Sequence, residues 1–329
     1  MANLRLPLYF VLGCLFLTAC GQASERADRF ERSLSRTQAA AISNDASLSF
    51  VATSEHGLML FDLTTQERLH NWQQDQDGIA QITSVSLSAD NRIAVAASRE
   101  TLAMWDTQSG AVRGYWRMDE STIRDIAVSN RGQHIVIGRA DGVVLLFEPE
   151  SGRRLEFFGH SERINSVDIS PNGRYVISGG DDHKALVWRS TDAQIVHDFA
   201  ADGRVNRVHF NPDGSTALVA SAQTATIWQL TRGELISELR HRSRHKSFVS
   251  AAFSADGRYL VTGSPSRHLE VWRVSDGRRL HSVNVSGREG EHPPRAAVIA
   301  VGFGNQGGEV FSENSAGFAE HWQFELDAD

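Results

Sequence analysis

Apolar residues fall in short runs along this chain, and polar turns break each run before a helix could form. Residues 164–188 read INSVDISPNGRYVISGGDDHKALVW. One apolar run meets the turn SPNG, a second meets DDHK, and a third ends at Trp188. The phrase returns as ITSVSLSADNRIAVAASRETLAMW from Ile82, VNRVHFNPDGSTALVASAQTATIW from Val205 and FVSAAFSADGRYLVTGSPSRHLEVW from Phe248. Its aromatic anchors are Phe61, Trp105, Phe147, Trp188, Trp228, Trp272 and Trp322, spaced by 44, 42, 41, 40, 44 and 50 residues. A period of about 40–45 residues with four strands per unit is the mark of a propeller blade. The pattern predicts an all-β chain folded as a seven-bladed β-propeller.

Turn chemistry supports the same division. The first hairpin turns read SNDA, SADN, SNRG, SPNG, NPDG and SADG, and Asn, Asp, Pro and Gly supply the backbone angles such turns need. Strand segments such as RYVISG and GVVLLF are apolar on both faces, as expected of strands packed between neighbouring blades. The chain ends soon after Trp322 with QFELDAD, so blade seven lacks an outer strand of its own. The segment 30–36, FERSLSR, precedes the first inner strand and has no blade. We expect this N-terminal strand to close the last blade, because closure removes exposed strand edges.

The N-terminus changes the picture of where the disc sits. Residues 1–20 read MANLRLPLYFVLGCLFLTAC, with Arg5 ahead of an apolar stretch from Leu6 to Leu17 and then small residues. That is the layout of a secretory signal, and the run is short for a spanning helix. Leu17-Thr18-Ala19-Cys20 resembles the bacterial lipobox. The resemblance implies cleavage before Cys20, acylation of its thiol and a lipid anchor held by more than one chain. Gly21, not Asp, follows the Cys; in Gram-negative lipoproteins this implies transfer to the outer membrane, facing the periplasm. The expected organisation is a signal peptide at 1–19, lipidated Cys20 with a tether over 20–28, and the propeller over 29–326. Loss of Cys14 and blocking of Cys20 would leave no free thiol or disulfide. The formal net charge of -7 argues against nucleic-acid binding, which needs a basic field.

The repeats resemble those of the WD-repeat (WD40) family over residues 29–326. Repeat four matches best, with Gly159-His160, then SPNG, Ser178, Asp182 and Trp188. The resemblance implies a buried hydrogen-bond chain through His160, Ser178, Asp182 and Trp188. The other repeats lack the Gly-His pair, and only Phe61 and Trp105 are followed by Asp. Those blades are expected to lean on apolar packing.

Catalytic signals are weak. The chain has no G-x-S-x-G elbow, phosphate-cradling Gly loop or H-E-x-x-H motif. His241 and His245 stand four apart, but Arg240, Arg242, Arg244 and Lys246 crowd them and would repel a cation. We expect no enzyme activity, no cofactor and no metal. The basic run and the insertion SGREGEHPPRA, which carries Arg288 and Arg295, exceed the minimum loop length, and such loops often carry function. They make the flank of blades five to seven a candidate interface. Alignment on Asn165 places Gln38, Thr83, Arg124, Asn165, Asn206, Val249 and Ile299 around the bore, with Asp125, Asp168 and His209 nearby at other depths. This ring offers one Arg among amides and aliphatics, which suits a peptide- or loop-binding mouth or simply a solvated pore. The expected function is a lipid-anchored envelope scaffold that docks another envelope protein. The alternative is a periplasmic enzyme or small-ligand binder acting at the bore.

Overall fold

A computed structural model of the protein describes residues 25–73, 81–222, 224–240, 247–290 and 295–326. These residues form seven four-stranded antiparallel sheets, in which each hairpin turn of the sequence joins neighbouring strands. Blade one runs from the inner strand Thr37–Ile42 to the outer strand Arg68–Trp72. Blade two runs from Ser84–Leu87 to Val112–Arg117, and blade three from Ile123–Val128 to Arg154–Phe157. Blade four runs from Ile164–Ile169 to Ile195–Ala200, and blade five from Val205–Phe210 to Glu234–Glu238. Blade six runs from Ser250–Phe253 to Arg279–Asn284. Blade seven takes three strands from the C-terminal end and its outer strand, Glu25–Glu31, from the N-terminal side.

The second and third strands are buried on both faces because each is sandwiched between blades. Val136, Leu146, Ile164, Val167, Val176 and Trp188 form one continuous core across blades three and four. Each fully buried aliphatic side chain of this kind contributes about 1.5–3 kcal/mol. Aromatic pairs recur at the rim of the core, with Phe157 on Trp188 at 4.5 Å and Phe199 on Trp228 at 4.3 Å between ring centroids.

The closing strand pairs Glu31 with Phe318 and runs back to Glu25 beside Gln323. Pairing therefore begins upstream of Arg29, where the turn pattern places the domain start. The third strand of blade seven, Phe318–Gln323, offers a partner along its whole length, and antiparallel pairing back from Glu31 consumes it. Residues 32–36 instead form the loop into blade one. There Arg32 is buried and donates from Nε to Glu313 Oε1 at 3.2 Å and from a terminal nitrogen to Gln66 Oε1 at 2.9 Å. Its guanidinium lies 4.1 Å from the centroid of the Phe61 ring, and Ser49 adds a 2.7 Å hydrogen bond to Glu313. One side chain thus clamps blade seven to blade one.

Other seams are stitched at the outer strands. His70, His197 and His281 donate from Nε2 to the carbonyls of Thr107, Leu230 and Glu325 at 2.8, 2.6 and 2.8 Å. Ser237 does the same to Val274 at 2.5 Å. Each acceptor follows the aromatic anchor of the next blade. The glycines of these turns answer to the same contact. Gly110 and Gly233 hold φ of +73° and +69°, and a Cβ there would meet His70 or His197 within 3 Å. We call front the face where each outer strand hands over to the next inner strand, and back the face bearing turns such as SPNG.

Candidate functional site

The inner strands surround a channel of about 420 Å³. Gln38, Thr83, Asn165, Asn206, Val249 and Ile299 line it, as do Asp125, Asp168, Arg207 and His209. Arg124 stands exposed at its front mouth. The ring positions share a backbone device that the sequence pattern did not reveal. The inner-strand register skips one residue at Gln38, Arg124, Asn165, Asn206 and Ile299, five of the seven blades. A bulge leaves its extra residue out of the ladder and re-aims its side chain. At Thr83 and Val249 the backbone N–H instead bonds Ala97 and Gly263, at 2.8 and 2.9 Å.

The polar groups of the bore have defined work. Asp125 accepts from Ser84 Oγ at 2.8 Å and from the Val167 N–H at 3.0 Å, so it ties blades two, three and four. Asp168 accepts from the Phe210 N–H at 2.8 Å and stands 2.8 Å from His209 Nδ1. Ser166 accepts from the Val208 N–H at 3.2 Å, and Ser250 donates to Val298 at 2.7 Å. Inner strands of adjacent blades do not share a ladder, and these side chains bridge them. What sequence alignment reads as acids scattered at different depths is a set of interblade pins. Among the described residues no three His, Cys, Asp or Glu side chains gather as a metal site would require.

At the front mouth, Asp181 is only 7% exposed and binds Arg163 Nε, Asn165 Nδ2 at 2.7 Å and, at 3.9 Å, Arg204. Burial alone would raise its pKa, but the hydrogen bonds from Asn165 and Arg163 and the two guanidinium charges hold it below the ordinary carboxylate range.

The best-preserved repeat builds one connected chain. Trp188 Nε1 donates to Ser178 Oγ at 3.4 Å, Ser178 meets His160 Nε2 at 2.9 Å, and His160 Nδ1 meets Asp182 Oδ2 at 2.9 Å. A carboxylate accepts only, so Nδ1 carries the proton and a neutral ring takes the Ser178 hydroxyl on Nε2. Burial pushes the His160 pKa down, with Asp182 opposing in part. Gly159 is required beside it, since a Cβ would lie 2.2 Å from the Phe157 ring.

Two other blades keep the Trp-to-hydroxyl bond and change the rest. Trp272 donates to Thr262 at 2.8 Å and Trp322 to Ser312 at 3.0 Å. Opposite these hydroxyl residues, in register, stand the buried Glu270 and Glu320. Glu270 takes Arg279 at 2.6 Å, and Glu320 takes the Ser286 N–H at 3.1 Å. The signal was in the sequence as a Glu two residues before each Trp, in HLEVW and FAEHW.

The predicted basic flank does not form one cluster among the described residues. Arg242, Arg244, Lys246, His241 and His245 lie outside those residues, as does Cys20. Arg240 sits at the rim between blades five and six, its N–H on the Gly277 carbonyl at 3.0 Å. Arg288 binds Glu31 at 3.1 Å and the Ser33 carbonyl, and covers the Phe318 ring at 5.3 Å. It is spent on holding the closing strand. Arg295 is exposed beside the turn that carries Pro265 and Arg267.

Fold and site together define a rigid ring-shaped platform with a polar mouth. The family profile described as WD domain, G-beta repeat matches residues 152–189 and 234–273. Each match starts in or just ahead of an outer strand and ends near the Trp anchor of the following blade, so the sequence repeat is offset by one strand from the structural blade. Apoptotic protease-activating factor 1 of Rattus norvegicus is 43% identical over 60 residues, 18% of this chain and 5% of that protein. The match thus spans a small part of that relative. These findings show that two segments of the chain are similar to WD repeats, within a seven-bladed propeller.

Proposed function

We propose that the protein is a non-enzymatic protein–protein interaction scaffold, anchored through acylated Cys20 to the bacterial envelope and, from Gly21, to the outer membrane facing the periplasm. The observation that carries the scaffold reading is the bulged ring at the front mouth. Five inner strands give up a ladder pair to aim side chains into the bore, while the disc behind them is held by pins and clamps. Among the described residues the bore carboxylates Asp125 and Asp168 are engaged in hydrogen bonds between blades, which favours the scaffold reading over the enzyme alternative. Its partner would be another envelope protein.

Crosslinking in intact cells, followed by affinity capture and mass spectrometry, tests this reading. A defined envelope protein should be recovered with the wild type and lost when Arg124→Glu and Asn206→Asp are combined. Cys20→Ala should release the protein from the membrane fraction. A correctly folded, membrane-bound protein that captures no partner would overturn the scaffold reading. Retention of the Cys20→Ala variant in the membrane would overturn the anchor.

A further inference from the structure

Among the described residues Arg207 is the one guanidinium that lines the bore, and no hydrogen bond to it is found there. Its Nε is buried without a partner, and its nearest carboxylate oxygen, on Asp125, lies 3.7 Å away. Asp125 is already committed to Ser84 and the Val167 N–H. The Arg207 side chain is 29% exposed, so it is open to the channel yet largely withdrawn from solvent. A buried donor left unmade costs free energy, and a charged one costs more. Arg207 reaches across blade four, since it belongs to blade five and its ion-pair partner to blade three.

Two further donors lead to it. Asn206 occupies the adjoining bulge and lines the same channel, and its amide makes no hydrogen bond within the described residues. Arg124, on the bulge of blade three, is exposed at the mouth and equally unpaired. Arg163 and Arg204, by contrast, are held by Asp181. The channel volume of about 420 Å³ suits a side chain with a few flanking atoms. A guanidinium presents paired donors that fit a carboxylate in two parallel bonds.

We infer that the bore is a receptor for a carboxylate, carried on an acidic side chain of an extended partner segment that enters from the front. Arg207 pairs with the carboxylate, Asn206 donates to it or to the adjoining backbone, and Arg124 attracts it at the mouth. This inference rests on the scaffold reading and adds the chemistry of the partner to it.

The test uses the purified chain from residue 21 onward and two labelled octapeptides, one alternating Ser and Glu, the other alternating Ser and Gln. Fluorescence anisotropy should show saturable binding of the Glu peptide, at least about tenfold tighter than the Gln peptide, fading as salt rises. Arg207→Gln should erase the preference. Arg207→Lys should keep part of it, which guards against loss by misfolding, and both variants should melt cooperatively. Arg124→Gln should weaken binding by a smaller factor. Equal binding of the two peptides, no binding of either, or a preference unchanged in Arg207→Gln would overturn the site. So would inorganic phosphate competing at the same concentration as the Glu peptide, which would assign the site to a free anion. If the partner captured in cells binds wild type and Arg207→Gln alike, this site falls while the scaffold reading stands.

Discussion

At the residue scale, the chain at His160 shows how one titratable group governs a blade. Its ring is neutral when the Trp188–Ser178–His160–Asp182 chain is fully bonded, and burial holds its pKa below the ordinary value. The unfolded chain takes up a proton near pH 6.5 while the folded chain resists it, so the unfolded state binds more protons in that window. Stability is therefore complete above about pH 6.5 and is lost as pH falls below it. His134, also lowered mainly by burial, adds to the same trend. The urea midpoint should fall from pH 7.5 to 5.5, and His160→Gln should flatten that fall. An unchanged slope in the variant would place the pH dependence elsewhere. At neutral pH His160→Ala should cost about 2–3 kcal/mol, because Ser178 and Asp182 are left buried and short of a partner. The four members of this chain were legible as a set through resemblance in one repeat. Arg207 was not, because one residue of bulge decides whether Asn206 or Arg207 meets a given depth of the bore, and a bulge depends on the partner strand.

At the element scale, the closing strand and its clamp carry the ring. Glu313 is 1% exposed and meets Arg32, so Arg32→Ala would strand a buried carboxylate and remove the cover from Phe61. Breaking a buried ion pair from one side costs about 3–5 kcal/mol. Arg32→Ala should lower the unfolding free energy from urea titration by that amount, whereas Arg92→Ala, at an exposed turn residue, should leave it within about 0.5 kcal/mol. Deleting residues 25–36 removes the whole strand and should abolish the cooperative melt. A deletion that melts as the wild type does would show that closure is not needed. The need for such a strand was legible from the missing fourth strand of blade seven. Its start at Glu25 was not, since GQASERAD reads as a polar tether and only pairing along Phe318–Gln323 recruits its second half. The His staples were hidden for a related reason. Each His stands opposite the residue before an anchor, and its acceptor is a backbone carbonyl, which leaves no mark on the sequence.

At the scale of the whole molecule, the direction of the closing strand orients the disc. Glu25 lies beside Gln323, which pairs with Glu309 at the end of the blade that carries the back turn 304–308. The chain therefore enters the domain from the back, at the rim of blade seven. If Cys20 carries the anchor, four residues separate it from Glu25, and the five chain steps reach at most about 17 Å. The back rim of blade seven is then kept against the bilayer and the mouth with Arg124, Asn206 and Arg207 faces away from it, toward a partner in the aqueous space. Fluorophores placed at Gln306→Cys, on the exposed back turn, and at Arg124→Cys, on the front, distinguish the two orientations. With the acylated protein in liposomes containing a lipid-phase quencher, the label at 306 should be strongly quenched and the label at 124 should not. Cys20→Ala should abolish the difference by releasing the disc. Stronger quenching at 124 would turn the bore toward the membrane, where no extended segment of another protein could enter it, and would shift the partner-binding surface to the back face.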